Sequence, residues 1–161
     1  MISKSDLDIL YKWAKETEFP TKKAPTTDGY CNTDIQHYWL KGVGKAVTIR
    51  KKLMTEEVVV VHQNDDVLYS GYSSFDSGTI LKPHRDPNIY REPYKRIQIP
   101  LTIPDREKCY MIWQGQKVFW EEGVSQVYEV MDYIHEGANL SDVPMKFLFL
   151  DVKKETIVDI D

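Results

Sequence analysis

The sequence predicts a single, mainly β domain built as a sandwich, a jelly roll or a small barrel. Beyond about Val58, apolar residues recur with the period of two that is typical of strands. These segments are rich in Val, Ile, Tyr, Phe and Trp, and Asn, Asp, Gly and Pro separate them. A chain of 161 residues is long enough to bury one core. We expect one domain over residues 1–161, with helices and loops at 1–55 covering a β core at 56–155.

The N-terminal region is predicted to hold two helices and a loop. Ser5 can cap a helix that runs to about Thr17, where apolar residues recur on one helical face before Pro20 ends the pattern. The next stretch, FPTKKAPTTDGYCNTD at residues 19–34, has the composition of a loop. A second helix is expected within residues 33–54. It would place His37 on a helix, as a packed or half-exposed side chain.

Six strand-like segments follow, and one of them contains a hairpin signal. Gln114–Gly115 is a dipeptide of the kind that joins two short antiparallel strands. His62 closes the first segment and is expected to be a strand-end histidine beside a turn. In chain order the segments are EVVVVHQ, VLYSGYSSF, RIQIPLTI, CYMIWQGQKVFW, VYEVM and MKFLFLDV.

Charge and cysteine content bound the class of protein. A net charge of −4 argues against broad electrostatic binding to nucleic acid. No apolar run approaches the roughly 20 residues of a membrane span, so no membrane partner is expected. The two cysteines, Cys31 and Cys109, form no CxxC pair, and the N-terminus lacks an export signal. We therefore expect a cytoplasmic protein with reduced thiols.

A histidine and an aspartate stand one residue apart and suggest a metal site. On an extended segment, His84 and Asp86 point to the same side. His135 follows a later strand and could complete a set of two imidazoles and one carboxylate, which binds Fe(II) on one face and leaves other positions open. The pair alone is weak evidence, since an aspartate often caps a turn beside a solvated histidine.

A lysine in an apolar strand supports the same interpretation. An iron site that uses a 2-oxo acid needs a fixed cation for the far carboxylate of that acid. Lys146 lies within VPMKFLFLDV, where a charge is costly unless it is paired. The alternative is a lysine on the strand face that points to water.

These landmarks together resemble a known enzyme family. YSSFDSGTILKPHRDP, KRIQIPLTIP, WEEGVSQVYEVMDYIHEGAN and MKFLFLDV occur in an order similar to that of the aspartyl/asparaginyl β-hydroxylases, which use Fe(II) and 2-oxoglutarate. The resemblance covers roughly Ser73 to Val152. It implies a double-stranded β-helix (a cupin-like jelly roll) with the N-terminal helices packed on a sheet. It also implies Fe(II) as cofactor, 2-oxoglutarate and O2 as co-substrates, and hydroxylation of an amino acid, free or within a peptide.

The resemblance further implies residue roles. Arg96 would face the carboxylate of the cofactor or substrate, and Lys146, with help from Ser73, would bind the far carboxylate of 2-oxoglutarate. The family usually has an arginine one place before the position of Lys146, and a lysine lacks the planar fork of arginine. The metal ligands implied are His84, Asp86 and His135.

Substrate contacts are predicted on two segments, each with a simpler alternative. Arg91, in the charged loop after Asp86, could attract a carboxylate-bearing substrate, or the loop could merely be solvated. Trp113 could contact substrate near an open barrel mouth, although such aromatic residues are more often part of the core. Two other functions stay open: a cupin-like protein that binds metal or a small acid without turnover, and a β-sandwich interaction module in which His84 and His135 lie far apart.

Overall fold

Two antiparallel sheets face each other and enclose a cavity. The computed structural model describes residues 1–24, 30–42, 48–87 and 92–160. The prediction of a mainly β chain is confirmed. The helices are α1 (Lys4–Glu16) and α2 (Glu56–His62), with a short 3₁₀ turn at Lys51–Leu53. The strands are β1 (Lys22–Ala24), β2 (Ile35–Lys41), β3 (Val67–Phe75), β4 (Ile80–His84), β5 (Tyr94–Thr102), β6 (Cys109–Trp113), β7 (Gln116–Phe119), β8 (Gln126–Tyr128), β9 (His135–Asn139) and β10 (Met145–Lys153).

The strand order determines which residues meet. The larger sheet has the order β1-β2-β3-β10-β5-β8, and the smaller sheet has the order β4-β9-β6-β7. In the smaller sheet, the pairing of β4 with β9 sets His84 directly opposite His135. In the larger sheet, Asp151 on β10 lies opposite Arg96 on β5. Side chains directly opposite each other lie on the same face of a sheet, so each pair shares an environment.

The two faces of the larger sheet bury different sets of residues. On the outer face, Leu148 and Leu150 of β10 belong to a core cluster with Leu7, Leu10 and Trp13 of α1. This confirms that N-terminal helices pack on the sheet. On the inner face, Phe147 of the same strand packs with residues of both sheets. Successive residues of β10 therefore alternate between the helices and the space between the sheets.

The expectation of a helix within residues 33–54 is wrong for the residues that the structure describes there. Residues 35–41 form strand β2, which pairs with β3 through the whole of its central part. The alternation of Ile35, His37 and Trp39 on one face is the strand period that the helix interpretation overlooked. Pairing with β3 satisfies the backbone of this segment, so tertiary structure outweighs its weak helical pattern.

The first segment expected to be a strand is a helix. EVVVVHQ lies mostly in α2. Thr55 caps this helix, because its side chain accepts a hydrogen bond from the Val58 amide. The carboxylates of Glu56 and Glu57 in the first turn stabilise the helix through their attraction to the positive end of its dipole. Val58 and Val61 are buried on one face, which accounts for a helix despite four β-branched residues.

Of two local predictions, a helix cap and a hairpin turn, the structure corrects the first and confirms the second. The cap of α1 is Ser3, not Ser5, because Ser3 and Asp6 form a reciprocal capping box. The hairpin at Gln114–Gly115 is confirmed: β6 pairs with β7, and both turn residues have positive φ, 51° and 80°. Within the described residues, no helix is both long and apolar enough to cross a membrane.

Candidate metal centre

The structure brings together the three residues predicted to bind metal. His84 ends β4, Asp86 follows two residues later, and His135 begins β9. Their ligand atoms all lie within 4.8 Å of one another. The Oδ1 atom of Asp86 is 3.4 Å from Nε2 of His84 and 3.1 Å from Nε2 of His135. This geometry excludes the β-sandwich module in which the two histidines lie far apart.

Backbone carbonyls orient both imidazoles. Nδ1 of His84 lies 2.6 Å from the carbonyl oxygen of Lys82, and Nδ1 of His135 lies 3.0 Å from that of Tyr133. A carbonyl only accepts, so each Nδ1 carries a hydrogen and donates it. Each Nε2 then faces Oδ1 of Asp86: it donates to this oxygen when it carries a proton, and it offers an electron pair to a cation when it does not. Outer hydrogen bonds of this kind fix ligating histidines in metal sites.

These donor atoms fit a divalent cation. Two imidazole nitrogens and one carboxylate oxygen converge at one point, and their electron pairs repel one another unless a positive charge lies between them. A proton on one imidazole is one such charge. Burial lowers the pKa of His84, but hydrogen bonds to Asp86 and to the Lys82 carbonyl outweigh burial and raise it. A metal ion would replace that proton, and two histidines with one carboxylate is a set that non-haem iron uses.

Arg96 holds the carboxylate ligand from behind. Its Nη1 lies 2.8 Å from Oδ2 of Asp86, while Nε and Nη2 form a fork on the two oxygens of Asp151 at 2.8 and 3.0 Å. Burial alone would raise the pKa of Asp86, but Arg96 and the hydrogen bonds from both histidines hold it well below its ordinary value. Asp86 therefore stays ionised, with Oδ2 on Arg96 and Oδ1 toward the histidines.

Aromatic rings pack against both ligand histidines. Tyr30 stacks on His84 with ring centroids 4.0 Å apart, and Trp113 lies 5.7 Å from His135. Trp113 also contacts Tyr128 and Tyr133, and it does not line the cavity. The structure therefore gives Trp113 a packing position beside His135, and its contact with a substrate stays a prediction.

The three candidate ligands open into a cavity of about 420 Å³ between the sheets. Much of its wall is aromatic or aliphatic and comes from β2, β3, β5 and β10 of the larger sheet. Arg96 and Ser73, both expected at the site, lie in this wall. The polar or charged members of the wall among the described residues, apart from His84, Asp86 and His135, are Tyr30, His37, Tyr69, Ser73, Tyr94, Arg96, Gln98, Tyr128 and Glu136.

Lys146 does not reach the cavity, which corrects the expectation that it lies at the site. It alternates with Met145 and Phe147, both of which line the cavity, so its side chain leaves the opposite face of the sheet. Its half-buried position there is the strand-face alternative weighed from the sequence. Arg91, the other predicted contact, lies outside the described residues.

Two histidines lie elsewhere than expected. His37 is a wall residue on β2, 8% exposed, and its ring contacts Ser73 and Tyr69. His62 is the fully buried last residue of α2, where Nδ1 meets the Val58 carbonyl and Nε2 meets the Ser70 hydroxyl. Burial lowers the pKa of His62 to about 4, so it is a neutral structural residue.

Sequence reasoning missed Asp151 and His37 as members of the site. Asp151 is the second-last residue of the apolar run MKFLFLDV and is fully buried, a position where a carboxylate needs a cation. That requirement was available from the sequence, but its partner Arg96 is revealed only by strand register. His37 could have been found from its alternation with Ile35 and Trp39.

Comparison with known proteins agrees with this geometry. The family model described as aspartyl/asparaginyl beta-hydroxylase matches residues 4–155. No curated protein sequence matches the chain.

Solved structures share the fold. An oxidoreductase of the 2OG-Fe(II) oxygenase family from Burkholderia pseudomallei superposes with a TM-score of 0.61 at 9% identity, over 92% of this chain and 79% of that one. A predicted oxalate decarboxylase from Thermotoga maritima superposes with a TM-score of 0.53 at 11% identity, over 84% of this chain and 94% of that one. At these identities the likeness establishes the fold, and the predicted cupin-like double-stranded β-helix is confirmed.

Proposed function

Since the chain belongs to the aspartyl/asparaginyl beta-hydroxylase family, we propose that it is an oxygenase that depends on Fe(II), 2-oxoglutarate and O2. One observation carries the proposal: Nε2 of His84 and Nε2 of His135 converge on Oδ1 of Asp86 at the wall of an apolar cavity. Three protein ligands on one side leave room for a co-substrate on the other.

Each group of residues at the proposed site has a distinct role. His84, Asp86 and His135 would hold the metal, which when bound supplies the activation of O2 through oxidation of the 2-oxo acid to succinate and CO2. Arg96 keeps Asp86 ionised and directs its Oδ1 to the metal position. The Lys82 and Tyr133 carbonyls keep both Nε2 atoms turned inward. The apolar wall limits water around the reacting groups.

The proposed reaction is hydroxylation of an amino acid, free or within a peptide. The family supports this substrate class, and the cavity of about 420 Å³ lies in the range of small-molecule sites. No nucleic-acid partner is proposed, in keeping with the acidic net charge.

A second candidate is a protein of the same fold that binds a metal or a small acid without turnover. Two observations favour it: Lys146 faces away from the cavity, and Arg96 is already engaged by Asp86 and Asp151. Each removes a cation that could hold the far carboxylate of 2-oxoglutarate.

An anaerobic titration separates the two candidates. 2-Oxoglutarate is added to Fe(II)-loaded protein, and the weak visible charge-transfer band of a chelated 2-oxo acid is recorded, with His84→Ala as the control. A band in the parent alone supports the oxygenase, and succinate release in air then serves to screen amino acids and peptides. Iron binding without a band in the parent overturns the oxygenase and supports the non-catalytic protein.

A further inference from the structure

The far carboxylate of the 2-oxo acid needs a partner that sequence reasoning did not supply. Among the described residues that line the cavity, Arg96 is the single lysine or arginine. All three of its guanidinium nitrogens already contact carboxylates of Asp86 or Asp151. Met145 faces inward beside the place expected for the cation. Among the described residues, the groups that can hold this carboxylate are therefore the other polar members of the wall.

His37, Ser73 and Tyr69 form a polar cluster in that wall. Nδ1 of His37 lies 2.8 Å from the Ser73 hydroxyl, and Nε2 lies 3.1 Å from the Tyr69 hydroxyl. Ser73 and His37 are direct neighbours in the β2–β3 ladder. Except for this cluster, the surroundings of the ring are aromatic, with Trp39 at 3.6 Å and Phe149 at 5.8 Å between ring centroids.

The sheet makes room for the ring by means of a glycine. Gly71 lies on the same face of β3 as Ser73 and Tyr69. A Cβ atom at residue 71 would lie 2.8 Å from Cε1 of His37 and 3.1 Å from Cζ of Phe149. The imidazole therefore lies directly over the backbone of β3, in a position that only glycine permits.

The cluster is neutral but can donate to an anion. Burial, together with the positive charge of Arg96, lowers the pKa of His37 to about 4. In the tautomer with the hydrogen on Nδ1, His37 donates to Ser73, and the Ser73 hydroxyl hydrogen is left for an acceptor in the cavity. A protonated His37 would add a full positive charge at the same place.

The charge balance of the cavity favours protonation when the acid binds. Arg96 lies between Asp86 and Asp151, so a divalent metal brings this group to a single positive charge. A 2-oxo dicarboxylic acid brings two negative charges and leaves an excess of one. A buried excess charge is costly. One proton that an imidazole gains from solvent neutralises this set of groups, and the half-buried Glu136 in the same wall adds negative charge that favours the gain.

We propose that His37, held by Ser73 and Tyr69, receives the far carboxylate of the 2-oxo acid and takes up one proton as the acid binds. The proposal rests on the proposed oxygenase function and names the group that replaces the missing cation. No covalent bond changes in this step: the proton comes from water or buffer and stays on the imidazole.

The other titratable groups around His37 do not provide this charge. Burial raises the pKa of Tyr69, so its hydroxyl keeps its proton. Arg96 on β5 and Asp151 on β10 are bound to each other, and Lys22, the β1 neighbour of His37 in the ladder, is exposed. From the smaller sheet, Glu136 and the three ligand residues line the same cavity.

Calorimetry tests the proposal without turnover. 2-Oxoglutarate is titrated anaerobically into Fe(II)-loaded protein at pH 6.5, in the weakly coordinating buffers MES and ACES, whose ionisation enthalpies differ. The parent should take up about one proton per acid. Its affinity should fall by about tenfold for each pH unit between 6 and 7, because the pKa of His37 is low in the free protein and raised in the complex.

Three variants locate the effect. His37→Gln should bind roughly tenfold or more weakly, in line with the loss of a charge-assisted hydrogen bond, and should take up no proton. Ser73→Ala should bind more weakly but keep the proton uptake. Lys146→Ala should match the parent in both quantities. Thermal unfolding of each variant checks that it is folded, and the pH dependence of the parent tests the proposal even if His37→Gln does not fold.

The outcomes distinguish a failure of the role proposed for His37 from a failure of the proposed oxygenase function. Iron binding with no acid binding in the parent overturns the oxygenase. Acid binding in the parent with unchanged affinity and proton uptake in His37→Gln overturns the role of His37 alone. A loss of affinity confined to Lys146→Ala would overturn the role of His37 and show that Lys146 binds the far carboxylate.

Discussion

Replacing Arg96 by glutamine should destabilise the protein strongly. Arg96 makes three short contacts, at 2.8, 2.8 and 3.0 Å, to two carboxylates, and Asp151 is fully buried. Removing one member of a buried ion pair typically costs about 3–5 kcal/mol, because a charge stays buried without compensation. For a domain of this size, each kcal/mol lowers Tm by roughly 2–4 °C, so the expected fall is about 6–20 °C.

Urea unfolding followed by tryptophan fluorescence measures the effect, and a double-mutant cycle assigns it. Asp151→Asn alone should also destabilise, since it leaves the guanidinium with one carboxylate. Arg96→Gln with Asp151→Asn should lose less stability than the sum of the single changes, because both charges are gone. A loss below about 1 kcal/mol in Arg96→Gln would refute the reasoning, since it would place the pair among exposed salt bridges.

Three further predictions concern the metal, the glycine and the lysine. Fe(II) added under anaerobic conditions should raise the Tm of the parent but not that of His135→Ala, and an equal rise in both would remove His135 from the site. Gly71→Ala should cost about 1–3 kcal/mol in urea unfolding through overpacking against His37, and unchanged stability with unchanged acid affinity would contradict the packing described. Lys146→Ala should change stability by less than about 1 kcal/mol and leave the Michaelis constant for 2-oxoglutarate unchanged, so a large rise in that constant would show that the lysine reaches the cavity.

The cluster of His84, Asp86 and His135 could be predicted because its chemistry is local. His84 and Asp86 share one face of an extended segment, and only His135 had to be found at a distance. The order of landmarks supplied that third residue. Strand pairing then brings His84 opposite His135, as the fold requires.

The direction of the Lys146 side chain could not be predicted from the sequence. The sequence shows a lysine in an apolar strand, but both faces of β10 are buried, so an apolar run does not reveal which residues face the cavity. A shift of one residue exchanges the two faces. The register is set by β3 and β5, which lie far away in the sequence.

His37 and α2 show the opposite difficulty, in which tertiary structure reverses a local preference. Four consecutive valines favour a strand, yet a Thr55 cap and one buried face produce a helix. His37 was assigned to a helix, although its alternation with Ile35 and Trp39 is that of a strand. Its role follows from β3, which provides Ser73, Tyr69 and the space over Gly71.

The pairing of β4 with β9 has a mechanical consequence for metal exchange. His84 and His135 belong to adjacent strands, and β4 is the terminal strand of the smaller sheet, with irregular register between Leu81 and His84. A metal bound by both histidines would join the two strands beside that irregular part of the ladder. Separation of the strands would then require metal release, so the local opening free energy of β4 would include the binding free energy of the metal. Occupancy of the centre would therefore set how often this edge of the barrel opens.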